Sequence, residues 1–139
     1  MLGEFQATVR RDEGLRVVCE SRGFKLILDE PEDLGGSNEG MNPVEALLCA
    51  LGACQTIIAT IYAPKFRLNI EDIRIELDGD LAEERDYNGY EKIYYTMYLR
   101  TKDDPAKVEK FADFVEKHCP VGNTLGKGIE IERRAIVIE

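Results

Sequence analysis

Residues 42–62 read NPVEALLCALGACQTIIATIY, and the fold follows from this stretch. Asn42 is a good N-cap, Pro43 suits the first helical position, and Glu45 stands third, where its carboxylate reaches back to the cap amide and completes a capping box. The same carboxylate favours the positive end of the helix dipole. Pro64 disfavours helical geometry at Ala63, so the helix is expected to run to about Tyr62. Val44, Leu47, Leu48, Leu51, Cys54, Ile57, Ile58 and Ile61 are apolar, and Ala46, Ala50, Ala53 and Ala59 leave little polar surface between them. A helix apolar nearly all round must be buried nearly all round. A single short chain does not easily wrap one, which points to a dimer that shares it.

Working outward, residues 4–11 and 15–28 alternate imperfectly between polar and apolar, with Gly14 and the Ser21, Arg22, Gly23 cluster as breaks. This pattern predicts three short strands in a meander. The glycine-rich acidic stretch 30–41 reads as an exposed loop. Beyond the helix, Ile70, Ile73, Ile75 and Leu77 mark a strand over 68–81, and Asp86, Tyr87, Asn88 and Gly89 supply a turn. GYEKIYYTMYLRT then gives a second strand with Ile93, Tyr95, Met97 and Leu99 on one face, so the pair is an antiparallel hairpin. Its tyrosines read as cross-strand packing, since no basic residues interleave them as a nucleic-acid stacking platform would need. Asp104 and Pro105 open an amphipathic helix ending near His118. Pro120 begins a shorter helical turn through Leu125, and IEIERRAIVIE is expected to close the chain as a last strand. The order of elements is that of a single α+β domain spanning residues 1–139.

The 139 residues suffice for a core without a metal or disulfide staple. With 27 acidic against 18 basic residues the net charge is −9, which argues against nucleic acid or an anionic membrane as partner. Polar residues interrupt the apolar run 43–62 as a membrane span, and the N-terminus lacks the apolar core of a signal peptide, so a cytoplasmic protein is expected. Four cysteines at 19, 49, 54 and 119 fit no zinc spacing, and His118 is the one histidine. Gly35 and Gly36 lack the spacing of a nucleotide fingerprint, so no cofactor and no metal is expected.

In a reducing compartment a thiol is either buried filler or chemically active. Cys119 precedes Pro120 at the expected N-cap of a short helix, whose amides can stabilise a thiolate. Cys54 sits mid-helix among Leu, Ala and Ile, where burial alone would raise its pKa and leave it inert. Residue chemistry by itself therefore leaves Cys54 a core residue and Cys119 open between the two roles. Cys19 and Cys49 read as buried filler, and His118 as either a base for Cys119 or a favourable charge at a helix end.

The string LDEPEDLGGSNEGMNPVEALLCALGAC over 28–54, followed after some 65 residues by HCPVGNTL at 118–125, resembles the osmotically inducible protein C and organic hydroperoxide resistance (OsmC/Ohr) family. The resemblance lies in the LGG loop, the NP start of the helix, the cysteine after a small-residue stretch, and the second Cys-Pro-Val. It covers nearly the whole chain. It implies an OsmC-like intertwined homodimer, with antiparallel sheets around long buried central helices and a thiol site at the subunit interface. It also implies a peroxidase that reduces organic hydroperoxides, and hydrogen peroxide less specifically. Cys54 would become a sulfenic acid, Cys119 would condense with it, and a dithiol, lipoylated or thioredoxin-like, would restore the pair. The family's activating arginine falls on Arg11 when the strand before the LGG loop is aligned without gaps. Arg10 points to the other face and Arg16 is a further substitute.

The motif NPVE departs from peroxidase members, which often carry glutamate at the place of Val44, so the acidic partner of the arginine falls on Glu45. Nine residues at 100° each set Glu45 opposite Cys54 and roughly 13 Å along the axis, so cooperation must run through the partner subunit or Arg11. An alternative expectation follows from that departure: a non-catalytic protein of the same fold that binds a small apolar ligand at the dimer interface.

Overall fold

The computed structural model describes residues 5–139, which fall into two compact units, one up to Cys49 and one from Ala50 onward. The mixed α+β architecture expected from the sequence is present in both. Position 4, the first residue of the expected opening strand, lies outside the described residues.

In the first unit β1 (Thr8–Arg11), β2 (Val17–Ser21) and β3 (Phe24–Leu28) form an antiparallel meander. Arg22 and Gly23 both take positive φ, as the two-residue turn between β2 and β3 requires. The register sets Val9, Arg11, Val17, Cys19, Leu26 and Leu28 on one face and Thr8, Arg10, Val18, Glu20, Lys25 and Ile27 on the other. The chain then folds over the buried Asp29, which is 2% exposed. Its carboxylate accepts hydrogen bonds from the backbone N–H groups of Glu30 (2.8 Å), Ser37 (3.3 Å) and Glu39 (3.2 Å). Those donors hold the acid below the usual carboxylate range. In the LGG turn Gly35 has φ of 93°, and a Cβ on Gly36 would stand 1.9 Å from the Glu30 carbonyl oxygen, so only glycine fits there.

Helix α1 (Pro43–Tyr62) has the length expected for it. Its capping box is formed: the Glu45 N–H donates to Asn42 Oδ1 at 2.9 Å, and the Asn42 N–H donates to Glu45 Oε1 at 2.8 Å. Burial all round is not achieved within the chain. Leu51, Gly52, Gln55 and Ala59 are buried, whereas Ile57 and Ile61 are 58% and 52% exposed. By length and composition alone this helix is also long and apolar enough to cross a membrane.

In the second unit β4 (Ile70–Glu83) and β5 (Asn88–Thr101) form the expected hairpin, with Ile93, Tyr95, Met97 and Leu99 half-buried on one face. On the other face the Arg74 guanidinium lies 4.0 Å from the Tyr98 ring centroid across the hairpin and the Tyr94 hydroxyl donates to Asp80 Oδ2 at 3.0 Å, so these tyrosines serve cross-strand pairing. Helix α2 (Pro105–Lys117) lays Phe111 and Val115, both fully buried, against Ala59, Ala63 and Leu68. Each such side chain contributes about 1.5–3 kcal/mol by leaving water. Helix α3 (Pro120–Lys127) runs two residues beyond its expected end at Leu125.

The last strand is a correction. Residues 129–139 form no strand and are exposed, with Ile131 and Ile138 above 90%. Alternation selects a strand only where a neighbouring strand takes its N–H and C=O groups, and none does so among the described residues.

Candidate active site

Cys119 is carried by the joint between α2 and α3. His118 caps the end of α2 and Cys119 is the N-cap of α3, followed by Pro120 at the first helical position. The Cys119 side chain caps α3 by accepting the Gly122 N–H at 3.3 Å, and the thiol is 1% exposed. A Cβ added to Gly122 would stand 3.4 Å from Cys119 Sγ and 3.5 Å from Leu51 Cδ1, so the turn of α3 rests on α1 through a bare glycine. The half-buried Cys54 is one helical turn beyond Leu51, and its thiol neighbours that of Cys119. All four cysteines are free thiols.

Burial pushes the Cys119 thiol above the ordinary cysteine range. The Gly122 and Val121 N–H groups pull it back, and the Cys54 thiol beside it pushes it up again. The helix amides can stabilise a thiolate here, as the sequence suggests, but desolvation outweighs them. Near neutral pH Cys119 is thus held mainly as a protonated thiol.

The other candidates divide. Arg11 and Arg10 point to opposite faces of the meander, as alternation requires, and Arg11 shares the face of Val9, Val17 and Cys19. It has no ion-pair partner among the described residues. Arg16, weighed as a substitute, is committed elsewhere: its guanidinium meets Asp12 at 2.8 Å, Glu13 at 3.6 Å and, closest, Glu39. Glu45 closes the capping box at the start of α1 and is exposed. Cys49 is a correction, since it is exposed, with its Sγ 3.8 Å from Met41 Sδ, because the apolar side of α1 on which it lies has no cover. Cys19 is half-buried. His118 is exposed, stacks on Phe114 with centroids 3.9 Å apart, and pairs its Nδ1 with the Phe114 carbonyl oxygen at 2.8 Å, so it finishes α2.

Two polar side chains, one next in sequence to Cys54 and one near Cys119, escaped the sequence reading. Gln55, next to Cys54, is 3% exposed and its Oε1 has no hydrogen-bond partner among the described residues. A lone amide in an apolar run was the available signal. Tyr95, read as sheet packing, donates its hydroxyl to Glu116 Oε2 at 3.0 Å. Burial, the Glu116 carboxylate and the nearby Cys119 push its phenol up to about 12. Among the described residues no three His, Cys, Asp or Glu side chains gather where a metal ion would sit.

Residues 36–134 match the model of a family described as OsmC-like protein. A hydroperoxide reductase of Mycoplasma pneumoniae is 26% identical over 125 residues, which are 88% of this chain and 85% of that protein. The solved structure of an OsmC-like protein from the same organism superposes with a TM-score of 0.82 at 27% identity, covering 93% of this chain and 91% of that one. An organic hydroperoxide resistance protein OsmC of Legionella pneumophila shares the fold, with a TM-score of 0.68 at 20% identity over 90% of both chains.

Proposed function

This chain belongs to the OsmC-like protein family, and from that premise we propose that it is a cytoplasmic, cofactor-free thiol peroxidase that reduces organic hydroperoxides and, less specifically, hydrogen peroxide. The observation that carries the reading is the pairing of two free thiols, Cys54 on α1 and Cys119 at the cap of α3. The name of the Mycoplasma pneumoniae relative supports the same chemistry.

In this reading the Cys54 thiolate attacks the terminal peroxide oxygen, the O–O bond breaks, and the alkoxide leaves as alcohol after taking a proton. Cys54 is then a sulfenic acid. Cys119, held as a thiol until needed, attacks its sulfur, and the hydroxyl departs as water while the disulfide forms. An external dithiol, lipoylated or thioredoxin-like, exchanges with that disulfide and is itself oxidised. Arg11 supplies the positive charge that holds the Cys54 thiolate and orients the peroxide, and Glu45 orients Arg11, in a homodimer that treats residues 1–139 as one functional domain. The uncovered Ile57 and Ile61 on α1 and the unpaired tail 129–139 support a second copy as the cover, and α1 as a core helix that spans no membrane.

The test is turnover of cumene hydroperoxide with dihydrolipoamide as reductant. Wild type consumes peroxide in step with dithiol, Cys54→Ser consumes none, and Arg11→Met slows the first step by about 10²-fold, the order expected of one lost charge-assisted contact. Wild-type rates in Cys54→Ser would overturn the reading. If wild type is inactive too, the fold serves to bind a small apolar ligand at the dimer interface.

A further inference from the structure

The corner between α2 and α3 is internally tied. Asn123 Nδ2 donates to the Lys117 carbonyl at 3.0 Å, and the Asn123 N–H donates to the Cys119 carbonyl at 2.9 Å. With the Gly122 bond to Cys119 Sγ, these ties make the corner move as one piece. Glu116 lies in the last turn of α2, three residues before Cys119, and accepts the Tyr95 hydroxyl from the strand beneath. Tyr95 is paired across the hairpin with Leu77. Leu77 Cδ1 in turn packs so closely on Gly52 of α1 that an added Cβ there would stand 2.7 Å away. One layer of contacts thus runs from α1, two residues before Cys54, through Leu77 and Tyr95 to the corner that holds Cys119.

We propose that Tyr95 and Glu116 are positioning residues, and that their hydrogen bond holds the α2–α3 corner where Cys119 can close on an oxidised Cys54. The inference rests on the peroxidase reading above. Closure is sensitive to such placement because the new bond needs sulfurs about 2.05 Å apart with a C–S–S–C dihedral near 90°. In that step Cys119–SH and Cys54–SOH give the disulfide and water: the S–S bond forms, the S–O bond breaks, and the thiol proton leaves on the hydroxyl. Tyr95 and Glu116 exchange no atom with either sulfur. A phenol that stays protonated to about 12 remains a donor to Glu116 over the whole working range of pH.

The experiment is a single turnover with one equivalent of cumene hydroperoxide, reading Cys54 sulfenic acid by dimedone trapping and the disulfide by mass spectrometry. Tyr95→Phe and Glu116→Ala are expected to oxidise Cys54 at the wild-type rate and close the disulfide about 5- to 10-fold more slowly, as loss of one partly exposed hydrogen bond implies. The double variant is no slower than either single one, because both remove the same bond. Glu116→Gln, whose amide oxygen still accepts from Tyr95, closes within about twofold of wild type. Closure at the wild-type rate in Tyr95→Phe and in Glu116→Ala, in a protein whose wild type does form the Cys54–Cys119 bond, overturns the inference alone. A wild type that forms no such bond removes the peroxidase reading and this inference with it. Glu116 is exposed, so its two variants decide the matter even if Tyr95→Phe folds poorly.

Discussion

Helices α1 and α3 both begin with a side chain that accepts a backbone N–H and a proline at the first helical position, yet the two starts are built from opposite materials. At α1 the acceptors are oxygens, Asn42 Oδ1 and Glu45 Oε1, in an exposed reciprocal pair at 2.9 and 2.8 Å. At α3 the acceptor is a buried sulfur at 3.3 Å. Sulfur is a weak acceptor, and serine, threonine, aspartate and asparagine are the effective caps. A cysteine in that place is therefore poor masonry, and its presence beside a second thiol is better explained by chemistry than by helix stability. The acids nearby differ in the same way. Asp29, which anchors the loop leading into α1, is surrounded by N–H donors that favour its anion, whereas burial disfavours the anion of Cys119.

The widest separation between the two starts should appear in activity. Cys119→Ser, which puts a better cap on α3, is expected to lower dithiol-dependent peroxide turnover by more than about 10²-fold while leaving the sulfenic acid on Cys54 long-lived, and Cys54→Ser to lower it by more than about 10³-fold. Asn42→Ala, which removes the stronger cap, should leave peroxide-driven disulfide formation within about twofold of wild type. Retained turnover in Cys119→Ser would make the sulfur a mere cap after all.

Stability should order the same variants in reverse. Asn42→Ala is expected to cost about 1 kcal/mol in urea unfolding, and Cys119→Ser to stay within about 0.5 kcal/mol of wild type, since the hydroxyl takes over the Gly122 N–H.

The smallest effects concern pH. Asp29 has its folded pKa depressed, so its contribution is complete above the ordinary carboxylate range and is lost as pH falls through the lowered value. Asp29→Asn should flatten the acid limb of a Tm-against-pH curve. Cys119 has its folded pKa raised, so its contribution is complete below the ordinary thiol range and is lost as pH rises through the raised value. For the same reason the rate of disulfide closure from pre-formed Cys54 sulfenic acid should keep climbing beyond the ordinary thiol range before it levels. A plateau near pH 7 would show that the helix amides outweigh burial.

Much of this was legible in the sequence. Asn42, Pro43, Glu45 and Pro64 fixed the bounds of α1 because caps and prolines act locally, and the period of two in β4 and β5 told which residues face inward. Cys119 could be placed at a helix start from Pro120 alone. What could not be read depends on packing between distant segments. The pKa of Cys119 turns on how much water is excluded, the commitment of Arg16 on a loop that returns Glu39 beside it, and the Tyr95 bond on where α2 ends relative to β5. The pattern of 129–139 was legible as a strand, but a strand is a pairing, and the sequence of one segment cannot supply its partner. The apolar circumference of α1 was plain, and its incomplete burial is the reason a second copy enters the proposal.

The central claim is that Cys54 and Cys119 are a redox couple. Peptide mass spectrometry of the wild-type protein after one equivalent of cumene hydroperoxide addresses it directly. The account predicts a mass lower by two hydrogens and a single cross-linked peptide pair containing Cys54 and Cys119, with Cys19 and Cys49 still free. Four intact thiols after exposure, or a bond formed between any other two, would contradict it.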